Sequence, residues 1–195
     1  DRNNSQNPQN YPGTILKLNY QGIPDVNFEN WKSGIFSIGH RNPQGLMYLK
    51  EFDEVWSHEH GPKGGDEINI IKKNKNYGWP IVTYGKEYWG GKIGVKRPVE
   101  GYEEPIWKWI PSIAPSGITY YNKNSIKSFK NKILVGSLKF RSLYVIELKN
   151  KRPISEIGIL KNKIGRIRDV LTHPNGYVLL ISDEKNGGLF KLEKN

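Results

Sequence analysis

A repeated order of short apolar segments and turns constrains the fold of this chain most strongly. Each repeat consists of an apolar segment, a turn, a second apolar segment that ends in polar residues, and a third apolar segment. The three repeats comprise residues 45–48, 54–57 and 67–71; then 117–121, 132–136 and 143–148; and finally 169–172, 177–181 and 188–192. Weak internal repetition of a strand triplet is typical of the blades of a β-propeller. The pattern therefore predicts an all-β fold.

The composition agrees with many short strands in one domain. Of the 195 residues, 36% are hydrophobic, and the 21 Gly and 12 Pro suit tight turns better than a helical bundle. Residues 77–108 are inserted between the first two repeats, and long insertions of this kind are usually functional loops. Because propellers typically hold four to eight blades, three repeats are too few to close a ring. We therefore expect residues 1–195 to form a single partial β-propeller domain, with further strands at 14–20 and 35–38 and a loop before Gly13.

The net charge of +11 raises nucleic acid as a partner, but the distribution of the charge argues against it. The basic residues are spread as single Lys among Asn, Ile and Tyr, and they form no stripe with stacking aromatics. We therefore expect solvated turns and strand faces and no nucleic-acid partner. A polyanion binder is the alternative that rests on charge alone.

Cysteine usage and hydropathy exclude other classes. The chain has no Cys, which excludes disulfides and thiolate metal sites. No apolar run approaches the roughly 20 residues of a spanning helix, so we expect no membrane span. The opening residues 1–5 lack the apolar core of a signal peptide, and we expect any export signal to lie upstream.

Gly- and Pro-rich segments carry charged residues that neither strands nor turns require. These segments are residues 39–45, 59–69 and 76–80, and they predict a ligand site. Asp66 and Glu67 are hard oxygen donors in a Gly-rich turn, which suits calcium and does not suit zinc. Turn capping is the alternative interpretation of this acidic pair.

Two arginines form a second candidate site. Arg166 and Arg168 alternate on one predicted strand, so their side chains share a face and can hold one anionic ligand. We expect Asp169 to orient them. The alternative is a solvated strand face on which Asp169 is an ordinary salt-bridge partner.

In order and spacing, these segments resemble the soluble glucose/sorbosone dehydrogenase family along nearly the whole chain. Further matching segments are residues 107–108, 115–117, 135–139, 166–170 and 174–176. The resemblance implies a six-bladed β-propeller, of which this chain covers roughly the C-terminal half. It also implies a quinoprotein that oxidises aldose sugars with pyrroloquinoline quinone (PQQ) and calcium. Such an enzyme passes electrons to an external acceptor and works outside the cytoplasm, in the periplasm or secreted.

The resemblance also implies which residues bind the cofactor and the metal. The positions that match PQQ contacts are Arg41, Asn42, Tyr88, Ser137, Leu138, Lys139, Arg166, Ile167 and Arg168. The positions that match calcium contacts are Glu67 and the Tyr77 carbonyl at one site, and the Gly61 and Pro62 carbonyls beside the cofactor. Without the resemblance, Lys139 is a solvated strand-end residue and Tyr88 a loop aromatic.

The four histidines do not supply the base of this chemistry. In the family the base is a His on an earlier blade, and none of His40, His58, His60 and His173 falls on that position. We therefore expect no catalytic residue in this chain, and we expect the missing blades to come from the rest of the protein or another chain. His40 and His60 are expected to hold turns through their ring nitrogens, and His173 to sit in a turn. The alternative function is a non-catalytic binding module, which predicts disrupted ligand residues.

Overall fold

The computed structural model describes residues 1–194, which form short, mostly antiparallel strands. The prediction of an all-β fold is confirmed, because the described strands form four sheets and the helical segments are two short 3₁₀ turns, Arg2–Gln6 and Lys127–Phe129. In chain order the strands are β1 (Thr14–Leu16), β2 (Ile35–Ile38), β3 (Pro43–Leu49), β4 (Glu54–Glu59), β5 (Asp66–Ile71), β6 (Lys75–Asn76), β7 (Trp107–Trp109), β8 (Pro115–Tyr121), β9 (Lys132–Ser137), β10 (Ser142–Lys149), β11 (Arg152–Ile159), β12 (Ile167–Thr172), β13 (Val178–Ser182) and β14 (Leu189–Leu192). Asn195, the last residue of the predicted single domain, lies outside the described residues.

The described residues divide into two compact units. The first comprises Asp1–Pro43 and Val55–Ser112, and the second comprises Gln44–Glu54 and Ile113–Asn195. In the first unit β2 pairs with β1 and, in parallel, with β6, while β5 lies between β4 and β7. In the second unit β8 to β11 form one antiparallel meander and β12 to β14 form another.

The predicted strand triplets coincide with β3 to β5, β8 to β10 and β12 to β14. The strand predicted at 14–20 is shorter, since β1 ends at Leu16 and only Leu18 continues in an isolated bridge. The expected loop before Gly13 contains the first 3₁₀ turn, in which the Ser5 hydroxyl donates to the Trp79 carbonyl at 2.6 Å. The opening segment is therefore anchored to the region that follows β6.

Three strands beside the triplets are not predicted by the sequence pattern. Two-residue β6 pairs in parallel with β2, short β7 pairs with β5, and β11 is the edge strand beside β10. In β11, Pro153 and Gly158 interrupt the alternation, and Ile154 and Ile157 are exposed. Proline is tolerated on edge strands because one edge of such a strand needs no ladder hydrogen bond. An edge strand with apolar residues facing outward does not show the usual alternation of buried and exposed residues.

One apolar cluster joins the two meanders of the second unit and fixes the start of β12. Its buried members are Tyr121, Phe129, Leu134, Leu143, Val145, Ile167, Val170, Val178 and Leu180. Ile167 is fully buried, and its carbonyl accepts a hydrogen bond from the Ser116 hydroxyl at 2.6 Å. Arg166, just before β12, and Arg168, at the register shift between Ile167 and Asp169, have partly exposed side chains beside the buried Ile167.

The insertion predicted as a long loop has no named strand between β6 and β7 in the described chain. Isolated bridges organise it, joining Val82 to Val95 and Lys86 to Lys63. Among residues 1–194, no helix has the length and apolar character needed to cross a bilayer.

Candidate functional site

The turn after β2 positions residues 40–42, and Gly39 makes that turn possible. Gly39 has a φ of +78°, and its carbonyl accepts a hydrogen bond from the Trp79 N–H at 2.9 Å. A Cβ at this position would lie 2.2 Å from Asn76 Oδ1 and 2.5 Å from the Gly78 nitrogen. Glycine is therefore required both by the left-handed backbone and by the close approach of the neighbouring chain.

Gly39→Ala is expected to lower the free energy of unfolding by about 3 kcal/mol. Alanine is strained in the left-handed conformation of this turn, and the backbone around Gly78 must also shift to make room for its Cβ. Gly22→Ala is the matched control, since Gly22 has a φ of +77° and no atom within 4 Å of an added Cβ. The control should lose only about 1 kcal/mol, the cost of the left-handed conformation. Urea unfolding followed by Trp fluorescence measures both. Equal losses of unfolding free energy in the two variants would show that the close approach at Gly39 does not contribute to stability.

The Glu59 carboxylate, at the end of β4, holds the segment that follows Gly39. Its Oε2 accepts the N–H groups of Arg41 at 2.6 Å and Asn42 at 3.2 Å, and its Oε1 accepts the Asn69 amide at 3.2 Å. Burial by itself raises the pKa of Glu59, but the His40 ring and the two backbone N–H groups outweigh burial and lower the pKa below its ordinary value. Glu59 is therefore ionised and fixes the backbone of two predicted PQQ residues.

His40 is buried beside Glu59 and holds the turn. Its Nε2 lies 2.8 Å from the Ser37 hydroxyl, its Nδ1 lies 3.4 Å from Glu59 Oε1, and its ring stacks on Tyr77 at 4.5 Å between centroids. The prediction that His40 acts through its ring nitrogens is confirmed. His60 donates its backbone N–H to the Asn42 carbonyl at 3.1 Å, and the role of its ring stays a prediction.

The Arg41 side chain combines fixed contacts with one unpaired donor. Its Nη1 donates to the His60 carbonyl at 3.0 Å, and its guanidinium lies 5.3 Å from the centroid of the Trp79 ring. Its Nε is buried and has no hydrogen-bond partner among the described residues. Leaving a buried donor unpaired costs about 1–3 kcal/mol. Such a donor marks a place where a polar ligand group can bind.

One small cavity in the first unit collects predicted residues from each type of site. Arg41, Gly61, Glu67 and Tyr77 line it, together with Arg97. Its free volume is about 10 Å³, which is about what one water molecule needs. The structure therefore brings a predicted PQQ residue and three predicted calcium ligands to one place.

The turn that contains Gly61 and Pro62 is tightly packed. The Gly61 N–H donates to Asp66 Oδ1 at 2.8 Å, so Asp66 caps this turn, as its alternative interpretation proposed. A Cβ at Gly61 would lie 2.3 Å from the Gly64 carbonyl oxygen and 2.4 Å from that of Gly65. The close approach of these two carbonyls therefore requires glycine at position 61. No group of three or more His, Cys, Asp or Glu that could hold a metal occurs among residues 1–194.

Arg97 lies between the two other predicted calcium ligands. Its Nη2 donates to the Tyr77 carbonyl, its Nη1 donates to the Glu103 carbonyl, and its Nε lies 3.7 Å from Glu67 Oε1. Burial raises the pKa of Glu67 to about 8, with Arg97 opposing the shift and Glu59 adding to it. Because the Arg97 guanidinium bonds the Tyr77 carbonyl and forms an ion pair with Glu67, it occupies the place that a calcium ion would take at these two positions.

Ser137, Leu138 and Lys139 form a tight turn at the end of β9 in the second unit. The Ser137 hydroxyl donates to the Ile113 carbonyl at 2.6 Å and accepts the Phe140 N–H at 3.1 Å. Ser137 and Leu138 are buried, whereas Lys139 is exposed, with its Nζ 5.2 Å from the centroid of the Phe140 ring. The turn thus presents one flexible cation on a rigid base.

Arg166 and Arg168 converge on one acidic residue, Asp183. The Asp183 Oδ2 accepts Arg166 Nη2 at 3.0 Å and Arg168 Nη2 at 2.7 Å, and these hydrogen bonds, with that of Arg168 first, lower the pKa of Asp183. The expectation that Asp169 orients the pair is wrong, because Asp169 Oδ1 instead accepts the N–H of Val170 at 2.8 Å. The shared face of the two arginines is confirmed.

Comparison with known proteins adds the family. The model of the glucose/sorbosone dehydrogenase family matches residues 1–191. The chain belongs to this family. Among curated relatives of the chain, aldose sugar dehydrogenase YliI of Escherichia coli K12 is 39% identical over 98% of the chain and 53% of the relative. Quinoprotein glucose dehydrogenase B of Acinetobacter calcoaceticus is 28% identical over 96% of the chain and 51% of the relative.

Solved structures show the same fold relationship. The apo form of the E. coli soluble aldose sugar dehydrogenase matches with a TM-score of 0.92 and 39% identity over 97% of the chain and 57% of that structure. The PQQ-bound aldose sugar dehydrogenase of Streptomyces coelicolor matches with a TM-score of 0.76 and 27% identity over 99% of the chain and 55% of that structure. The chain therefore spans about half the length of these relatives.

The remaining predicted residues lie apart from the cavity. Tyr88 is 66% exposed, and its carbonyl accepts a hydrogen bond from Lys63 Nζ at 3.2 Å. Its role toward PQQ stays a prediction. His173 accepts the Asn175 N–H on its Nδ1 at 3.1 Å, which confirms that it sits in a turn.

Sequence reasoning missed three residues that organise the site: Glu59, Arg97 and Asp183. Glu59 stands in the Gly- and Pro-rich segment 59–69, and a carboxylate at the end of an apolar strand was a usable signal. Arg97 bonds the Tyr77 carbonyl, 20 residues away in the sequence. Asp183 bonds the Arg168 side chain, 15 residues away. At such separations no local pattern links the partners.

Proposed function

We propose that this chain forms the PQQ-holding part of a quinoprotein dehydrogenase that oxidises aldose sugars at the anomeric carbon. Membership of the glucose/sorbosone dehydrogenase family and the names of the relatives support this activity. The relative named a quinoprotein and the PQQ-bound structural neighbour support the cofactor. The proposal includes a six-bladed propeller, a location outside the cytoplasm and an external electron acceptor.

The observation that carries the proposal is the presentation of Arg41 and Asn42. The ionised Glu59 fixes both backbones, while Arg41 keeps one buried donor without a partner. Arg41 is partly exposed, and its guanidinium is a cation that can pair with a carboxylate. The arrangement fits an anionic, hydrogen-bond-accepting cofactor such as PQQ.

The second unit carries cations at other positions that are predicted to bind PQQ. PQQ carries three carboxylates, and Arg166, Arg168 and Lys139 offer guanidinium and ammonium groups. Asp183 keeps the two guanidinium groups beside each other, because both bond the same oxygen. We assign Ser137, Leu138 and Ile167 to the backbone that supports these cations, and Tyr88 to the loop at the edge of the cofactor.

Calcium beside the cofactor is proposed for the Gly61 and Pro62 carbonyls. Backbone carbonyls are hard oxygen donors of the kind that calcium takes. There the ion would act as a Lewis acid and a template for the bound quinone.

When bound, PQQ supplies an ortho-quinone that accepts hydride from the sugar. The residues of this chain bind and orient the cofactor, and the Arg41 guanidinium stabilises negative charge on its oxygens. The base that takes the hydroxyl proton of the sugar is proposed to lie outside this chain, on the remaining blades.

Anaerobic addition of an aldose to the whole protein, loaded with PQQ and CaCl₂, tests this function. The absorbance of the bound quinone should change to that of the reduced form with glucose or another aldose and stay constant with the matching alditol, which lacks the anomeric hydroxyl. An unchanged spectrum with every aldose, in protein that has bound PQQ, would contradict the proposed reaction.

A further inference from the structure

An oxygen-lined cage in the first unit surrounds the side chain of Arg97. The Arg97 side chain is 1% exposed and contacts the Tyr77 and Glu103 carbonyls, with the Glu104 carboxylate 3.3 Å from its Nη1. Glu67 Oε1 lies 3.7 Å from its Nε. The groups around the guanidinium are therefore carboxylates and carbonyls, the same donors that surround a calcium ion in proteins.

A cation beside this cage stabilises the ionised form of its buried carboxyl groups. Glu67 is 6% exposed, and the ionised Glu59 lies nearby, since both carboxylates contact the Asn69 amide. Buried carboxylates are stable only when they are paired or protonated. Arg97 supplies one positive charge that cannot be lost, because a guanidinium stays protonated in proteins.

The loop that carries Arg97 is tied back toward the cage by backbone hydrogen bonds. Val95 donates to the Ile81 carbonyl at 2.8 Å, and Thr83 donates to the Val95 carbonyl at 3.1 Å. On the other side of Arg97, Glu103 donates to the Asn76 carbonyl at 2.9 Å. Anchors on both sides of Arg97 show that its buried position belongs to the loop fold.

Space and charge both disfavour a divalent ion beside this guanidinium. The cavity has about 10 Å³ of free volume, and a Cβ at Gly78 would lie 3.3 Å from Arg97 Nη2 and 2.0 Å from a Val82 methyl group. Calcium needs six to eight oxygen ligands at roughly 2.3–2.6 Å. A calcium ion would also stand next to a like charge in a buried place.

We propose that the Arg97 guanidinium is the resident cation of the Glu67–Tyr77 cage and makes this site independent of calcium. The chain thereby replaces, with an internal side chain, the metal ion that the family pattern implies at these two positions. The Arg97 guanidinium pairs with the carboxyl groups of the cage whether or not PQQ is bound.

Thermal unfolding of the PQQ-free protein in CaCl₂ and in EDTA tests this inference. Any difference in the wild-type midpoint between the two solutions should be unchanged in Glu67→Gln, because no ion binds the cage of the folded state. In Arg97→Ala the midpoint should fall in EDTA and rise by several degrees in CaCl₂, since the vacated cage can then bind the ion. Arg2→Ala is the control, because Arg2 forms an exposed ion pair with Glu87 at 2.6 Å in the same unit. It should remain insensitive to calcium.

Glu67→Gln in the wild-type background provides a second test, which does not depend on the folding of Arg97→Ala. A calcium-dependent rise of the wild-type midpoint that Glu67→Gln abolishes would overturn the proposal, because the ion would then occupy the cage. A rise that Glu67→Gln leaves unchanged belongs to another site and agrees with the proposal. A folded Arg97→Ala variant that binds no calcium, by isothermal titration, would also overturn it.

Discussion

Arg168→Ala is expected to weaken PQQ binding by about 100-fold, which corresponds to the loss of one strong charge-assisted hydrogen bond, about 2–3 kcal/mol. Arg168 lies on the outward face of β12 and shares Asp183 with Arg166. Its removal leaves Asp183 paired with Arg166, so no buried group loses its partner. Stability should therefore change little, while the cation available to a cofactor carboxylate is lost. Quenching of Trp fluorescence by PQQ measures the affinity.

Arg152→Ala is the matched control for this loss of charge. Arg152 is also exposed and paired, with its Nη2 3.3 Å from Glu54 Oε1 in the same unit. It removes the same charge from β11, where no cofactor residue is predicted. If Arg168→Ala bound PQQ as tightly as the wild-type protein and Arg152→Ala do, the assignment of Arg168 would be wrong. If both variants bound PQQ more weakly than the wild type and by the same factor, the effect would come from net charge.

Glu59→Ala is expected to lower the free energy of unfolding by about 3–5 kcal/mol, the range for breaking a buried charge network. The change leaves the N–H groups of Arg41 and Asn42 without their acceptor and removes a partner of the Asn69 amide. PQQ affinity should fall together with stability, because the segment that presents Arg41 loses its anchor. Urea unfolding and the fluorescence titration measure the two effects.

Two controls separate the anchor from the charge. Glu54→Ala removes a partly exposed carboxylate paired with Arg152, and such a pair contributes only about 0–1 kcal/mol. Glu59→Gln retains one oxygen acceptor and should lose less stability than Glu59→Ala. If Glu59→Ala were as stable as Glu54→Ala, the hydrogen bonds of Glu59 around Arg41 would not contribute to stability.

The sequence was sufficient for the strands that alternate clearly and insufficient for those that do not. In β9 and β13 buried apolar residues dominate, so a strand was the natural interpretation. The sequence pattern does not predict β11, because Ile154 and Ile157 are exposed and Pro153 lies within the strand. This strand forms by pairing with the edge of β10. Formation of such a strand depends on its neighbour in the sheet, and the local sequence pattern does not predict that neighbour.

For the site, local spacing predicted what lies on one strand or one turn. The alternation of Arg166 and Arg168 gave their shared face, and the Gly-rich turn gave the cap by Asp66. The choice of Asp183 over Asp169 depends on the pairing of β12 with β13, which brings Ile167 opposite Ser182. The position of Arg97 depends on the closure of a long loop. Tertiary contacts of this kind decide which charge neutralises which oxygen.

Equilibrium titration of the protein with PQQ in CaCl₂ tests the central claim most directly. The proposal predicts one saturable site that is weakened by Arg41→Ala and by Arg168→Ala but retained in Arg152→Ala. Folded wild-type protein that shows no saturable binding of PQQ would contradict the claim, and a non-catalytic binding module would then be the better account of this chain.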